Sequence, residues 1–311
     1  MSADLAPRGR MPRHCIDIDG VLLLDKPAGV TSNAILQRVK RLYRATKAGH
    51  GGTLDPMATG LLPLAMGEAT KFLGSLLEAR KTYKAAVRFG VRTTTGDAEG
   101  AVVERRPVSL TPTQLEVAMS SFTGKLWQVP PMHSAVKRNG RPLYRYARQG
   151  LEVERQARQV EIYRLEIEAF HGEGATLLVE CSKGTYIRTL AEDLGTALGC
   201  GAHLEALQRI SIGAFSIEQA VTPSRLEALT EEERRALLLP VDAPLASLPR
   251  LDVAPAAEQA LLRGQPIAGS DGDVVGLVRL YADRGQFLGV GESIGNGWVR
   301  PRRLIRPERR M

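Results

Sequence analysis

The stretch GHGGTLDPMATGLL, residues 49–62, contains four glycines, one proline and a single acid, Asp55. A proline disfavours the helical region for the residue before it, so Asp55 is expected on an extended loop or turn. Gly49, Gly51, Gly52 and Gly60 are expected to permit positive φ and to let another backbone come close. Asp55 is the only acid between Asp25 and Glu68. The stretch lacks the G-x-x-x-x-G-K-[ST] spacing of a phosphate cradle, and no cluster of His, Cys or carboxylate offers metal ligands. A lone carboxylate in an apolar, glycine-lined loop fits a nucleophile or general base. An Asx-turn or helix cap is the plainer alternative.

On either side of this loop the pattern alternates between strand and helix. GVLLLDKP (20–27) reads as a short buried strand. TSNAILQRVKRLY (31–43) reads as a helix capped by Thr31 or Ser32, with Ile35, Val39 and Leu42 on one face. Residues 68–79 are predicted to form one helix with Phe72, Leu73, Leu76 and Leu77 inward. KTYKAAVRFG (81–90) alternates, placing Tyr83, Ala85, Val87 and Phe89 on one strand face. Thr111, Pro112 and Gln114 spell a helix start with a capping box, as do Thr230 and Glu233. Residues 160–170 and 175–184 read as paired strands, and 186–199 as a helix. Without a strict βαβ rhythm this is an α+β fold. Prolines 240, 244, 249 and 255 suggest a linker. Beyond them, residues 272–305 are glycine-dense with short apolar alternations and read as a small all-β barrel.

The 311 residues exceed the usual single-domain size, and 43% of them are hydrophobic, enough for a real core. The formal net charge of +8 favours a polyanionic partner, nucleic acid first. Residues 298–311 alone hold six arginines and one glutamate, a candidate RNA-backbone arm. Three cysteines in no C-x-x-C pattern argue against a disulfide framework or zinc site and for a reducing cytoplasm. No apolar run approaches membrane-spanning length. Residues 1–15 lack the apolar segment of a signal peptide and read as a disordered leader.

GHGGTLDPMATGLLP resembles the catalytic loop of the TruB family of tRNA pseudouridine synthases, whose pattern is G-H-x-G-x-L-D-P-x-A-x-G. The resemblance continues, in order, through LLLDKPAGVTSN (22–33), GEATKF (67–72), KTYKAAVRFG, VPPMHSAVKRNGRPLYRYARQG (129–150), CSKGTYIRTLAEDLG (181–195) and LEALQRISIGAF (204–215). It implies the pseudouridine synthase fold: a mixed, mainly antiparallel sheet flanked by helices, over residues 16–245. Residues 250–311 more weakly resemble the small, PUA-like RNA-binding domain of bacterial members.

The implied reaction converts uridine 55 of the tRNA T-loop to pseudouridine after the base is flipped out, without metal or cofactor. By the same resemblance Asp55 is the catalytic aspartate. Tyr83 stacks on the extruded uracil and takes the C5 proton, and Arg188 pairs with Asp55. His50 fills the vacated stack. Tyr186 and Leu207 line the uracil pocket; Asp97 contacts the substrate groove or simply forms a turn, and Lys26 and Lys137 contact phosphate or are simply solvated. His133 stands where some members carry an aromatic residue, which leaves its role open. The expected partner is tRNA, bound by a cytoplasmic monomer that needs no membrane and no second protein. The related guide-RNA-dependent subunit, which has a larger C-terminal domain, fits the short glycine-rich tail less well. A non-catalytic tRNA-folding protein or a small-molecule hydrolase fits less well still.

Overall fold

The computed structural model describes residues 15–269 and 276–306. Most of the expected leader and the last five residues of the arginine-rich tail therefore lie outside the described residues. The chain opens with β1 (Gly20–Lys26), α1 (Ser32–Leu42), the short β2 (Ala48–His50) and β3 (Thr59–Met66). A 3-10 turn over Gly67–Phe72 runs into α2 (Leu73–Glu78) and then β4 (Lys81–Phe89). A hairpin of β5 (Val91–Thr93) and β6 (Val102–Arg105) precedes α3 (Pro112–Ser120) and β7 (Gly124–Gln128). A second small hairpin, β8 (Lys137–Arg138) with β9 (Arg141–Pro142), carries α4 (Leu143–Ala147). The long strands β10 (Arg158–Phe170) and β11 (Gly174–Cys181) lead to α5 (Ile187–Ala197), β12 (Ala202–Ile212) and β13 (Phe215–Ser216). After α6 (Pro223–Ala228) and α7 (Glu231–Ala236) come β14 (Arg250–Val253), α8 (Pro255–Leu262), β15 (Ile267–Ala268), β16 (Gly276–Ala282), β17 (Phe287–Ser293) and β18 (Trp298–Leu304).

The main sheet has the order β1-β3-β12-β4-β11-β10-β7, with β2 beside β3 and β13 beside β12. All of its pairings are antiparallel except β3 with β12. Alternation explains the buried face: Tyr83, Ala85, Val87 and Phe89 of β4 turn inward beside Ala175, Leu177, Val179 and Cys181 of β11. Helices α1 and α5 close that face with Ile35, Leu36 and Val39, and with Ile187, Leu190 and Leu194. Each such side chain, fully buried, contributes about 1.5–3 kcal/mol of transfer free energy. Thr31 accepts from the Ala34 amide and so starts α1, and the Thr111–Gln114 and Thr230–Glu233 capping boxes both form.

Two sequence expectations are corrected. Residues 68–79 are not one α-helix. The 3-10 turn advances three residues per revolution rather than 3.6, which resets the phase. Leu76 is buried while Leu77 is 47% exposed. The C-terminal unit is also not all-β. It starts at β14, includes α8, and forms an open sheet in the order β14-β16-β17-β18-β15 over its own core. Pro255, read as a linker residue, instead occupies the first turn of α8, where its missing N–H costs nothing.

The segment before β14 is packed rather than free. Leu245 lies buried with Phe72, Val290 and Ile305. Asp242 accepts from the Tyr281 hydroxyl and pairs with Arg279 at 3.2 Å. The Glu68 carboxylate accepts from Lys71 at 2.6 Å and from the Arg306 amide at 2.7 Å, and Lys71 also donates to the Leu304 carbonyl. The second sheet is thus fastened to the 3-10 turn of the first unit.

The β3–β12 pairing depends on Gly60. Its φ is +102°, and a Cβ there would overlap the Arg209 carbonyl oxygen. Gly60→Ala is expected to lower the unfolding free energy by about 3 kcal/mol or more, from backbone strain plus overpacking. Urea denaturation of the purified variant measures this.

Candidate active site

Asp55 lies on the loop between β2 and β3, and three distant elements hold that loop in place. Ser32, the first residue of α1, donates to the Leu54 carbonyl at 2.9 Å and accepts from the Leu54 amide at 2.8 Å. Lys26, at the end of β1, is fully buried and donates to the carbonyls of Pro27, Val30 and Pro56. The Gly29 amide donates to the same Pro56 carbonyl. Arg209 of β12 donates to the Gly52 carbonyl at 3.1 Å and the Leu61 carbonyl at 2.8 Å. Asp55 closes its own turn by accepting from the Ala58 amide.

The glycines serve this packing in two different ways. Gly52 has φ of +127°, a conformation that suits glycine. Gly49 and Gly51 do not have positive φ; a Cβ on them would press on the side chains of Leu73 and Leu76 at 2.8 and 2.9 Å. The close approach expected from the sequence is therefore made to the chain itself.

Arg188, in the first turn of α5, backs the Asp55 carboxylate. Its guanidinium is 3.0 Å from Asp55 Oδ2 and 3.5 Å from Asp97 Oδ2, with only 4% of the side chain exposed. It also donates to the carbonyls of His133 and Thr95. Its direction is thus fixed by two carboxylates and two peptide oxygens. The Asp55 side chain stays 37% exposed, so the carboxylate is held from behind and open in front. Burial pushes its carboxyl above the ordinary range; Arg188 opposes this, the Asp97 charge adds to it, and Lys26 opposes it weakly.

The residue at the cap of α5, Tyr186, has no side-chain cap bond. Gln128, at the end of β7 and buried, takes over: its amide nitrogen donates to the Tyr186 carbonyl at 3.0 Å and its oxygen accepts from the Tyr186 amide at 2.7 Å. That clamp sets where α5 begins and so how far Arg188 reaches.

Tyr83 and Leu207 lie on neighbouring strands of the same core, 9% and 8% exposed. Burial pushes the Tyr83 hydroxyl above its usual range, and the Arg209 guanidinium pulls the other way. His50 on β2 is half-buried. Burial and the Arg209 charge push its imidazole below the ordinary value, which keeps it neutral at neutral pH. Its Nδ1 is buried with no hydrogen-bond partner among the described residues.

The structure brings Arg188 against Asp55; the Asp55 charge also reaches Tyr83 and Tyr186, His50 ends the strand just ahead of the Asp55 loop, and Leu207 lies on β12 beside β4. Two other expected site residues have supporting positions instead. Lys26 spends its ammonium on three carbonyls and shows none of it to solvent. Asp97 is 4% exposed, accepts from Thr95 Oγ1 at 2.5 Å and the Glu99 amide at 3.1 Å, and faces Arg188 rather than an open groove. Lys137 stands apart, exposed on the β8–β9 hairpin. His133 acts through its backbone oxygen. Sequence reasoning missed Arg209, Gln128 and Ser32. The available signal for Arg209 was a charged residue on a core-facing strand position, two residues from Leu207. Among the described residues no group of three His, Cys, Asp or Glu is placed to hold a metal, and no helix is long and apolar enough to cross a membrane.

Comparison with known proteins gives consistent matches. Residues 40–187 match the TruB family pseudouridylate synthase N-terminal domain, 188–246 the tRNA pseudouridylate synthase B C-terminal domain, and 249–305 the pseudouridine synthase II TruB C-terminal domain. The chain is 54% identical over 288 residues to tRNA pseudouridine synthase B of Aromatoleum aromaticum, covering 93% of each chain. It is also 54% identical to the protein of that name from Azoarcus sp., covering 95% of this chain and 97% of the other. Among solved structures, a chain of a Cbf5–Nop10–Gar1 complex matches with TM-score 0.70 and 28% identity, over 89% of this chain and 79% of that one.

Lys26→Met is expected to remove the ammonium donor from the Pro27 and Val30 carbonyls, while Pro56 keeps the Gly29 amide, and to cost about 1–3 kcal/mol in chemical denaturation. Burial pulls the Lys26 ammonium down to about 8 from 10.5. Between those values the unfolded chain binds more protons than the folded one, so stability rises with pH. As the pH drops from about 10.5 it falls, and it levels off below about 8, where both states are protonated. In Lys26→Met this part of the pH dependence is expected to vanish.

Proposed function

Because the chain belongs to the TruB family of pseudouridine synthases, we propose that the Asp55 cleft acts on uridine 55 of the T-loop. The chain is an isomerase that makes pseudouridine in tRNA. The observation that carries the site assignment is the Asp55 carboxylate itself, open to the cleft on one side and held at 3.0 Å by a buried arginine on the other.

Isomerisation moves the uracil from an N–C to a C–C linkage on the same sugar. Every atom is conserved and no electrons leave, so the chemistry asks for a positioned anion and a proton acceptor rather than a redox or metal group. In this reading Asp55 is that anion, and Arg188 keeps it ionised and aimed. Extruding the base costs a few (~2–4) kcal/mol. Stacking on Tyr83 and insertion of the neutral His50 ring offset this, at roughly 1–3 kcal/mol per stacked base. Tyr186 and Leu207 close the uracil pocket. Asp97 acts through Arg188, and Lys26 acts through the loop it holds.

The RNA backbone is met by basic side chains elsewhere, including exposed Lys137 and the arginines of β18, where Arg300, Arg302 and Arg303 point to solvent. In this reading the unit from β14 onward binds RNA. In this reading the enzyme is cytoplasmic and acts as a monomer; near-complete alignment with tRNA pseudouridine synthase B relatives at 54% identity, against 28% for a chain solved with protein partners, favours an enzyme without an obligate partner.

Incubating an unmodified tRNA transcript with the purified protein, then mapping pseudouridine at nucleotide resolution, tests the reading. A product at position 55 supports it, and none, or a product elsewhere, refutes it. Asp55→Asn is expected to slow turnover on the order of 10³-fold or more. Its tRNA affinity should stay within about tenfold, because phosphate contacts supply binding.

The acid limb of kcat/KM is expected above the ordinary aspartate range, since Asp55 must be ionised and its carboxyl is raised. Arg188→Gln should move that limb to higher pH, and Asp97→Asn to lower pH.

A further inference from the structure

Among the described residues Arg209 is the largest fully buried side chain, 1% exposed. Among the described residues no carboxylate lies within ion-pair distance of it. A buried cation without a counter-charge is costly, so its persistence beside a cleft needs a reason. Two of its five N–H groups are used on the Leu61 and Gly52 carbonyls, which flank the Asp55 loop. The strand register puts Arg209 directly opposite Tyr83 on β4 and opposite Gly60 on β3. The paired register sets the two side chains beside each other on the same sheet face; the Arg209 guanidinium pulls the Tyr83 hydroxyl down against the effect of burial, and its charge also reaches His50 and Lys26.

From this arrangement we infer that Arg209 is a positioning residue for Tyr83: it fixes the phenol oxygen against the Asp55 loop and supplies the positive charge that lets that oxygen act as a base. The inference rests on the reading of the cleft given above. After the new C5–C1′ bond forms, C5 still carries its hydrogen. The Tyr83 phenol oxygen takes that proton as its own hydroxyl proton passes on toward N1, and the C5–H electron pair re-forms the C5=C6 bond. The N1=C6 pair returns to N1, which is protonated by the phenol directly or through solvent. Tyr83 ends as it began, and no outside reactant is consumed. Arg209 balances the negative charge that builds on the phenol oxygen while its proton is in transit, and the substrate never touches Arg209.

The experiment uses full-length protein and tRNA transcripts carrying protium, deuterium or tritium at uridine C5, with tritium release reporting loss of the C5 hydrogen. Arg209→Gln is expected to slow single-turnover product formation by on the order of 10²-fold, with tRNA affinity changed by less than about threefold. Because C5 proton removal becomes the slow step, the deuterium isotope effect rises above the wild-type value. In a Tyr83→Phe background the same substitution should add less than about threefold, since its target is gone. Arg209→Lys keeps the charge but loses the fork; it should fall between wild type and Gln in rate, again with a raised isotope effect. It carries the test if the Gln variant does not fold. An unchanged isotope effect in Arg209→Lys, or rate losses that simply multiply with Tyr83→Phe, would overturn the proposal. Wild-type protein that releases no tritium would instead sink the underlying reading of the cleft.

Discussion

The fork between Arg188, Asp55 and Asp97 is the constraint around which the rest is arranged. A guanidinium 4% exposed must be compensated, and here two carboxylates and two carbonyls do so. Only one of the carboxylates, Asp55, also meets solvent. The asymmetry creates function: Asp97 is spent inside the protein, whereas Asp55 keeps one face free. Moving α5 by a fraction of an ångström would alter that balance, which explains why a buried glutamine clamps the helix start so closely.

Strand order puts these groups in reach of each other. Asp55 comes from the β2–β3 loop, Tyr83 from β4, Leu207 and Arg209 from β12, and Arg188 from the helix just before β12. The parallel pairing of β3 with β12, permitted by Gly60, closes the circuit between the loop and the strand that carries Arg209. Fold and site therefore share contacts, and a substitution that loosens the sheet at Gly60 also shifts the cleft.

Much of this was legible in the sequence. Alternation located β4 and the inward face of Tyr83, the residue before a proline located Asp55 on a loop, and capping residues located the starts of α1, α3 and α7. The family resemblance joined Asp55, Tyr83 and Arg188, which are far apart along the chain. Burial was not legible. Lys26 read as a phosphate contact or a solvated cation and Asp97 as a groove contact or a turn former, because a charged side chain looks accessible until its carbonyl or guanidinium partners are seen. Arg209 left little trace because its hydrogen-bond partners lie 148 and 157 residues away and are peptide oxygens, which have no residue signature. The C-terminal unit was misjudged where proline was taken for a break in structure rather than the opening of a helix.

The stretch from Gly67 to Leu76 has two neighbours at once. On one side, Leu73 and Leu76 press against Gly49 and Gly51 of the cleft loop. On the other, Phe72 meets Phe287 edge to face at 5.4 Å, and Glu68 holds the Arg306 amide. This short run is a common hinge-plate with no slack of its own. The second sheet and the Asp55 loop therefore share one wall, built from a single run of ten residues, Gly67 to Leu76.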